Sequence, residues 1–291
     1  MAWANLTDTR CYYELLGQGE ALVLIPGLGA LCRADDPDAV ELANDFTLVC
    51  PELRGIGRSR VKRTPTSLAD YCSDLVELLD HLQVERAHVM GLSLGGTIAQ
   101  RFAVDHPGRV NRLVLVSCAH RFGPFLREMA TLVGHTMRHF PPRLFRRTLE
   151  LLGSSPLYMD ADPERIDRKL QARANSCEPS LHAVAQQLRC LVASEPDEQS
   201  FRITAETLVI AGEYDALIPH CYVRRMADAI AGSTFVMVEG AGHNPFAECA
   251  ERLLPTVVSF LKTGVVKPIP PFPQSDAIPS GRATTKERKS A

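Results

Sequence analysis

Residues 87–97 read Ala-His-Val-Met-Gly-Leu-Ser-Leu-Gly-Gly-Thr, and the fold is read outward from this stretch. An apolar run at 87–90 leads into Gly91-Leu92-Ser93-Leu94-Gly95, and a helix-period segment follows over 94–105, ending before Pro107. A Gly-x-Ser-x-Gly match by itself is weak in a chain of 291 residues. Its position between a strand and a helix carries the weight, because that setting lifts a serine hydroxyl clear of a sheet as a nucleophile. So tight a turn forces Ser93 into strained backbone, and a side chain at 91 or 95 would collide with neighbouring backbone. The helix behind the turn points its free N–H groups at the same spot and favours developing negative charge there.

On either side of this stretch, short apolar runs alternate with helix-period segments, the pattern of a parallel sheet covered by helices. Strands are expected at 21–25, 46–50, 113–117, 207–211 and 234–238 as well as 87–90. They are rich in Val, Ile and Leu without strict alternation, as strands buried on both faces are. Segment 67–82 places Leu68, Tyr71, Leu75, Leu78, Leu79 and Leu82 at helical spacing, and Ser67 with Asp70 forms a capping-box-like start. Helices are also expected over 219–230 and 247–262. The alternation stops after 118 and resumes at 207, and the intervening residues show helical apolar spacing without a strand. The expected organisation is an α/β core in two parts, 1–120 and 201–263, with a helical cap inserted at 121–200. From 264 to 291 the chain is Pro-rich and polar, a composition that predicts a disordered tail.

A serine hydroxyl needs a base, and the base needs an acid to orient it. Of nine histidines, His243 is the candidate base, because it follows the last expected strand in the small-residue loop Glu239-Gly-Ala-Gly-His-Asn-Pro. The acid is expected after the strand at 207–211, where Gly212-Glu-Tyr-Asp215 stands. Asp215 is the candidate, with Glu213 two residues away as its rival, and the chain order becomes Ser…Asp…His. His220 reads as a surface residue at a helix start. In the loop Ile25-Pro26-Gly27-Leu28-Gly29, the Leu28 N–H is the expected partner of the Leu94 N–H in an oxyanion hole.

These motifs together resemble the α/β-hydrolase superfamily, over roughly 8–262. Pro51-Glu-Leu-Arg-Gly-Ile-Gly-Arg-Ser59 is similar to that family's Asp-x-Arg-Gly-x-Gly-x-Ser segment. Two residues depart from the family pattern: Pro26 stands where many members have a His-Gly pair, and Glu52 where Asp is usual. The Gly-Leu-Ser-Leu-Gly-Gly-Thr elbow and the Gly-Ala-Gly-His ending look like small-molecule esterases and enol-lactonases. The resemblance implies a serine hydrolase acting on a carboxylic ester or lactone through an acyl-enzyme, with no cofactor and no metal. Thioester hydrolysis and hydrolytic C–C cleavage run on the same triad, and a hydrolase-fold binding protein with little turnover is the alternative of a different class. The aspartate nucleophile of dehalogenases and epoxide hydrolases of this fold is absent, since Ser93 holds its place.

Composition narrows the partners. A formal net charge of −2 gives no global attraction to nucleic acid or anionic membrane. The nine cysteines are scattered and form no C-x-x-C pair, so neither zinc nor a redox motif is signalled. Free thiols suit a reducing compartment. No signal peptide is read at the N-terminus, and the nearly apolar run 21–32 is far short of the roughly 20 residues a membrane span needs. The expectation is a soluble cytoplasmic enzyme with a small-molecule substrate. The cap's arginines (121, 127, 138, 143, 146, 147) read as a solvated helix face. Its apolar residues Phe122, Phe125, Met129, Phe140 and Phe145 read as core or as the wall of an acyl pocket.

Overall fold

The computed structural model describes residues 2–31, 36–174, 180–194 and 202–272. The chain opens with β1 (Ala2–Asn5), β2 (Thr9–Leu16) and β3 (Glu20–Ile25), then α1 (Pro37–Leu42) and β4 (Phe46–Pro51). A short β5 (Arg60–Val61) precedes α2 (Leu68–His81), β6 (Ala87–Leu92), α3 (Leu94–Asp105) and β7 (Val110–Val116). Among the described residues five helices follow without a strand: α4 (Pro124–His139), α5 (Pro142–Gly153), α6 (Pro156–Asp160), α7 (Arg165–Ala174) and α8 (Leu181–Ala193). The chain returns to the sheet as β8 (Glu206–Gly212), α9 (His220–Ala229), β9 (Thr234–Val238) and α10 (Pro245–Thr263).

The strands lie in the order β1-β2-β4-β3-β6-β7-β8-β9, with β5 paired to β2. Pairing is parallel from β4 through β3, β6, β7 and β8 to β9. It is antiparallel where β2 meets β1, β4 and β5. From β3 the chain turns one way to β4 and later the other way to β6. A topological switch point therefore lies between β3 and β6, and ligands of open α/β sheets bind beyond the C-terminal ends of strands at such a point. Alternate strand residues face opposite layers. Val23 and Ile25 join the core beneath α2, α3 and α9, while Leu22 and Leu24 join the core beneath α1 and α10. Leu22, Leu113, Leu208 and Ile210 are wholly shielded, each burial contributing about 1.5–3 kcal/mol.

β1, β2, β5 and α1 do not appear in the sequence reading. β2 interrupts its buried Thr9 and Cys11–Tyr13 with exposed Arg10 and follows them with half-buried Glu14 and exposed Leu15, so it lacks the continuous apolar run of the central strands. It lies at the antiparallel margin, where partnering rather than composition makes the strand. β7 starts at Val110 and ends at Val116, earlier at both ends than expected; Ser117 follows at φ 48° and still donates its N–H to Ile210 O of β8 at 2.9 Å. Residues 264–272 lie along α10: the Arg252 guanidinium donates to Pro270 O at 2.8 and 3.0 Å, and Thr256 Oγ1 donates to Lys267 O at 3.0 Å. Ordered chain thus extends past the boundary expected at 264, and 273–291 lie outside the described residues, as do Cys32 and Cys177. Among the described residues no helix is long and apolar enough to cross a membrane.

The Pro51–Ser59 segment is a bracket. Arg54 is buried and grips Asp74 of α2 through Nε and Nη2, both at 2.7 Å. Ser59 Oγ donates to Glu52 O at 2.6 Å and accepts from Tyr12 N at 2.9 Å, tying the loop to β2. The Glu52 carboxylate accepts from the Arg58 guanidinium at 2.7 and 2.9 Å, so the longer side chain still closes the turn. Removing one partner of a buried pair leaves an uncompensated charge. Asp74→Ala is expected to lower stability by about 3 kcal/mol, measured as a shift of the urea midpoint; a shift under a quarter of that would show Arg54 to be held by its carbonyl acceptors alone.

Candidate active site

Ser93 sits at φ 56°, ψ −117° between β6 and α3, a left-handed conformation that costs an L-residue about 1–3 kcal/mol. Its N–H donates to Val116 O at 2.9 Å, pinning the turn to the end of β7. A Cβ at Gly95 would lie 2.0 Å from Ile25 O, and one at Gly91 would lie 2.3 Å from Gly95 O. Only glycine permits α3 to start this close to the end of β3. As the first residue of α3, Leu94 has an N–H with no acceptor inside its helix. Cys118, packed beneath Gly96, is no rival nucleophile: burial pushes its thiol up, and a thiol must ionise to attack.

The loop after β3 is a turn. Ala30 N–H donates to Gly27 O at 3.1 Å, and Gly29, third in the turn, has φ 63°, the geometry of a type II turn. A trans peptide holds its C=O and N–H in opposite directions. The Gly27 carbonyl is engaged inside the turn, so the Leu28 N–H points away from it; among the described residues that N–H makes no hydrogen bond. The next N–H, of Gly29, donates to Oε1 of Gln187 on α8 at 2.8 Å.

Beyond β8, the Asp215 side chain is fully enclosed. Its Oδ1 accepts from the N–H groups of Leu217 and Ile218 at 2.9 and 2.8 Å. Its Oδ2 is 2.8 Å from Nδ1 of His243. A carboxylate accepts only, so Nδ1 carries the hydrogen in the neutral ring and Nε2 presents a lone pair. Glu213 is committed elsewhere, accepting from Gly240 N at 2.9 Å, and the choice between the two acids falls to Asp215. Among the described residues no hydrogen bond joins Ser93 Oγ to His243 Nε2. Bonds of this kind are often long in free enzymes and tighten around substrate. His220 is exposed at the start of α9.

The loop bearing His243 is held by the cap. His243 N–H donates to Gly153 O at the end of α5, at 2.8 Å. The Glu248 carboxylate accepts from Gly242 N at 3.0 Å and from Ser155 N at 3.2 and 3.3 Å. Neither Glu248 nor Gln187 was legible as a site residue in the sequence, since neither stands in a motif. In the cap, Arg143 and Arg147 share Asp167, and Arg127 donates to Phe122 O and Val192 O. Phe122 and Phe145 are core, and Phe125 stacks on Tyr222 of α9. A polar cleft of about 390 Å³ lies at the other end of the strands, lined by Glu20, Arg86, His88 and Glu206 among others. Ser93, Asp215 and His243 all follow strand C-termini, so that cleft is remote from them. Among the described residues no cluster of His, Cys, Asp and Glu is placed to hold a metal ion.

Comparison with known proteins places the chain in a family. The profile of the α/β hydrolase fold matches residues 20–249, and the chain belongs to that family of hydrolases. A relative from Caulobacter sp. (strain K31), named "Putative carbamate hydrolase RutD", is 28% identical over 265 residues, covering 86% of this chain and 95% of its own. A thermophilic esterase from Thermogutta terrifontis superposes with a TM-score of 0.78 at 25% identity, over 90% of this chain and 98% of its own. The enol-lactonase from Burkholderia xenovorans LB400, at 24% identity and a TM-score of 0.79 over 90% of this chain and 100% of its own, shares the fold.

Burial raises the Glu248 carboxyl above its ordinary value of 4.5, against the opposing pull of the Ser155 and Gly242 N–H groups. A raised folded-state pKa means the fold holds this proton more tightly than the unfolded chain does. The contribution of Glu248 is therefore fully present below the unfolded value and falls as pH rises through the folded one. Glu248→Gln is expected to gain stability relative to wild type between pH 4 and pH 7, read from urea midpoints; a difference that is flat or opposite in sign would contradict the raised value.

Proposed function

We propose that the protein hydrolyses a carboxylic ester or lactone of a small molecule through a Ser93–His243–Asp215 triad. The observation that carries this reading is the enclosed Asp215 carboxylate 2.8 Å from His243 Nδ1, in a family whose strained elbow here presents Ser93. His243 Nε2 takes the Ser93 proton as Oγ attacks the carbonyl carbon. The negative charge that develops on the carbonyl oxygen is met by the N–H groups of Leu28 and Leu94. Asp215 keeps the ring in the productive tautomer and stabilises the imidazolium that forms. Protonated His243 then gives its proton to the departing alkoxide, leaving an acyl-enzyme. Water, deprotonated by the same nitrogen, attacks the acyl carbon and releases the acid and free Ser93.

A carbamate offers the same electrophilic carbonyl with an amine-bearing acyl group, and a relative's name makes it the second substrate class to test. Thioesters and vinylogous diketones are the further members of the panel, because their cleavage uses the same nucleophile and base.

Fluorophosphonate labelling is expected on wild type and absent from Ser93→Ala, with ester turnover reduced by about 10⁴-fold or more in the variant and the melting temperature preserved. Retained turnover in Ser93→Ala would sink the triad. A folded wild type that neither labels nor turns over an activated ester would favour a hydrolase-fold binding protein.

A further inference from the structure

We infer that Gln187, on the last cap helix, is a positioning residue that fixes the oxyanion-binding turn from outside the α/β core. This rests on the serine-hydrolase reading proposed above and concerns how its oxyanion donors are held.

The turn Gly27–Ala30 has little to hold it locally. Pro26 has no N–H to donate, and Gly27 and Gly29 have no side chains to pack. Within the turn the hydrogen bond is Ala30 N to Gly27 O at 3.1 Å. From the cap comes the bond of the Gly29 N–H to Gln187 Oε1 at 2.8 Å, across 158 positions of chain. The Gly29 N–H can only donate, so the amide end facing it is the oxygen. Gln187 is wholly buried, on the inner face of α8 with Val184, Cys190 and Leu191. Its Nε2 is enclosed without a protein partner among the described residues. A buried side chain in this position has few alternative rotamers, so the peptide it grips is held in one orientation.

The consequence for chemistry follows from the planarity of the two adjoining peptides. Gln187 fixes the 28–29 peptide, and the Ala30 bond fixes the 27–28 peptide. Together they set the direction of the Leu28 N–H before substrate arrives. Preorganised donors act because they need no reorientation as charge develops. The cap, besides covering the site, completes it: α8 must be seated for the turn to present its donor.

The test compares wild type with two variants. Gln187→Met keeps the volume and removes the acceptor. Gln187→Glu keeps an acceptor for Gly29 and adds a carboxyl whose burial raises its pKa. For Gln187→Met, kcat on an activated ester is expected to fall about 10- to 100-fold, less than the 10²–10³ of a donor removed outright. KM should stay within about threefold, and fluorophosphonate labelling of Ser93 should slow by the same factor as kcat, because the phosphonyl oxygen uses the same donors. Measured against wild type at the same pH, Gln187→Glu should keep most of the rate at low pH and lose it as pH rises, when a carboxylate forms beside the developing oxyanion. Wild-type kcat in a folded Gln187→Met would overturn the inference, as would a loss confined to KM. If Gln187→Met fails to fold, the pH profile decides: a Gln187→Glu profile parallel to wild type would overturn it. Should wild type itself fail to label, the serine-hydrolase reading falls; labelling of wild type and Gln187→Met at equal rates would fell this inference alone.

Discussion

One of the tightest constraints in the molecule is the backbone approach at the start of α3. The Gly95 position lies so near Ile25 O that a Cβ there would stand 2.0 Å away, and 2.6 Å from Pro26 O. This contact forces the end of β3 and the beginning of α3 into one unit, across the switch point of the sheet. Ser93 and the turn that follows β3 are placed by the same packing. Relaxing it would move the proposed nucleophile and its proposed oxyanion donors relative to one another, and displacements of about 1 Å are enough to cost rates of 10²-fold.

Around that unit the remaining parts are anchored from outside the sheet. The cap reaches the site at two points: Gln187 grips the turn after β3, and the α5–α6 junction grips the loop after β9 through Gly153 O and the Glu248 carboxylate. His243 stands just past the end of β9, a strand separated from β6 by β7 and β8. Its loop is held by contacts it makes with the cap as well as by its own turn. The cap therefore touches both the loop of the proposed base and the turn of a proposed oxyanion donor.

The loop after β4 rests on charge. The Arg54–Asp74 pair buries an ionic bracket between the loop after β4 and α2. Its two short hydrogen bonds and the carbonyls of Arg63 and Asp70 satisfy the guanidinium. A buried pair of this kind adds little net stability against a well-packed apolar substitute, yet it tolerates one geometry only. Here that geometry sets the loop against which Ala183 of α8 packs, at 3.3 Å from a Cβ at Gly55.

Much of this protein was legible along the chain. The central parallel strands announce themselves by Val, Ile and Leu runs because burial on both faces demands them. The elbow is readable because its glycines and serine are adjacent, and the order Ser93, Asp215, His243 follows from which strand each residue succeeds. What the sequence could not decide depends on residues that meet only after folding. Asp215 is the preferred acid in the sequence, but its rival Glu213 is set aside only when the β9 loop gives Glu213 to Gly240 N and Asp215 to His243. β1 and β2 lack a strong strand signal because antiparallel partners at the sheet's margin, not their own composition, make them strands. Gln187 and Glu248 stand in no motif, and hydrogen bonds across 158 and 93 positions leave no period for a sequence to show. Local geometry was written in neighbouring residues; the bracing of the site was decided by tertiary packing, because only that packing brings its two halves within hydrogen-bond reach.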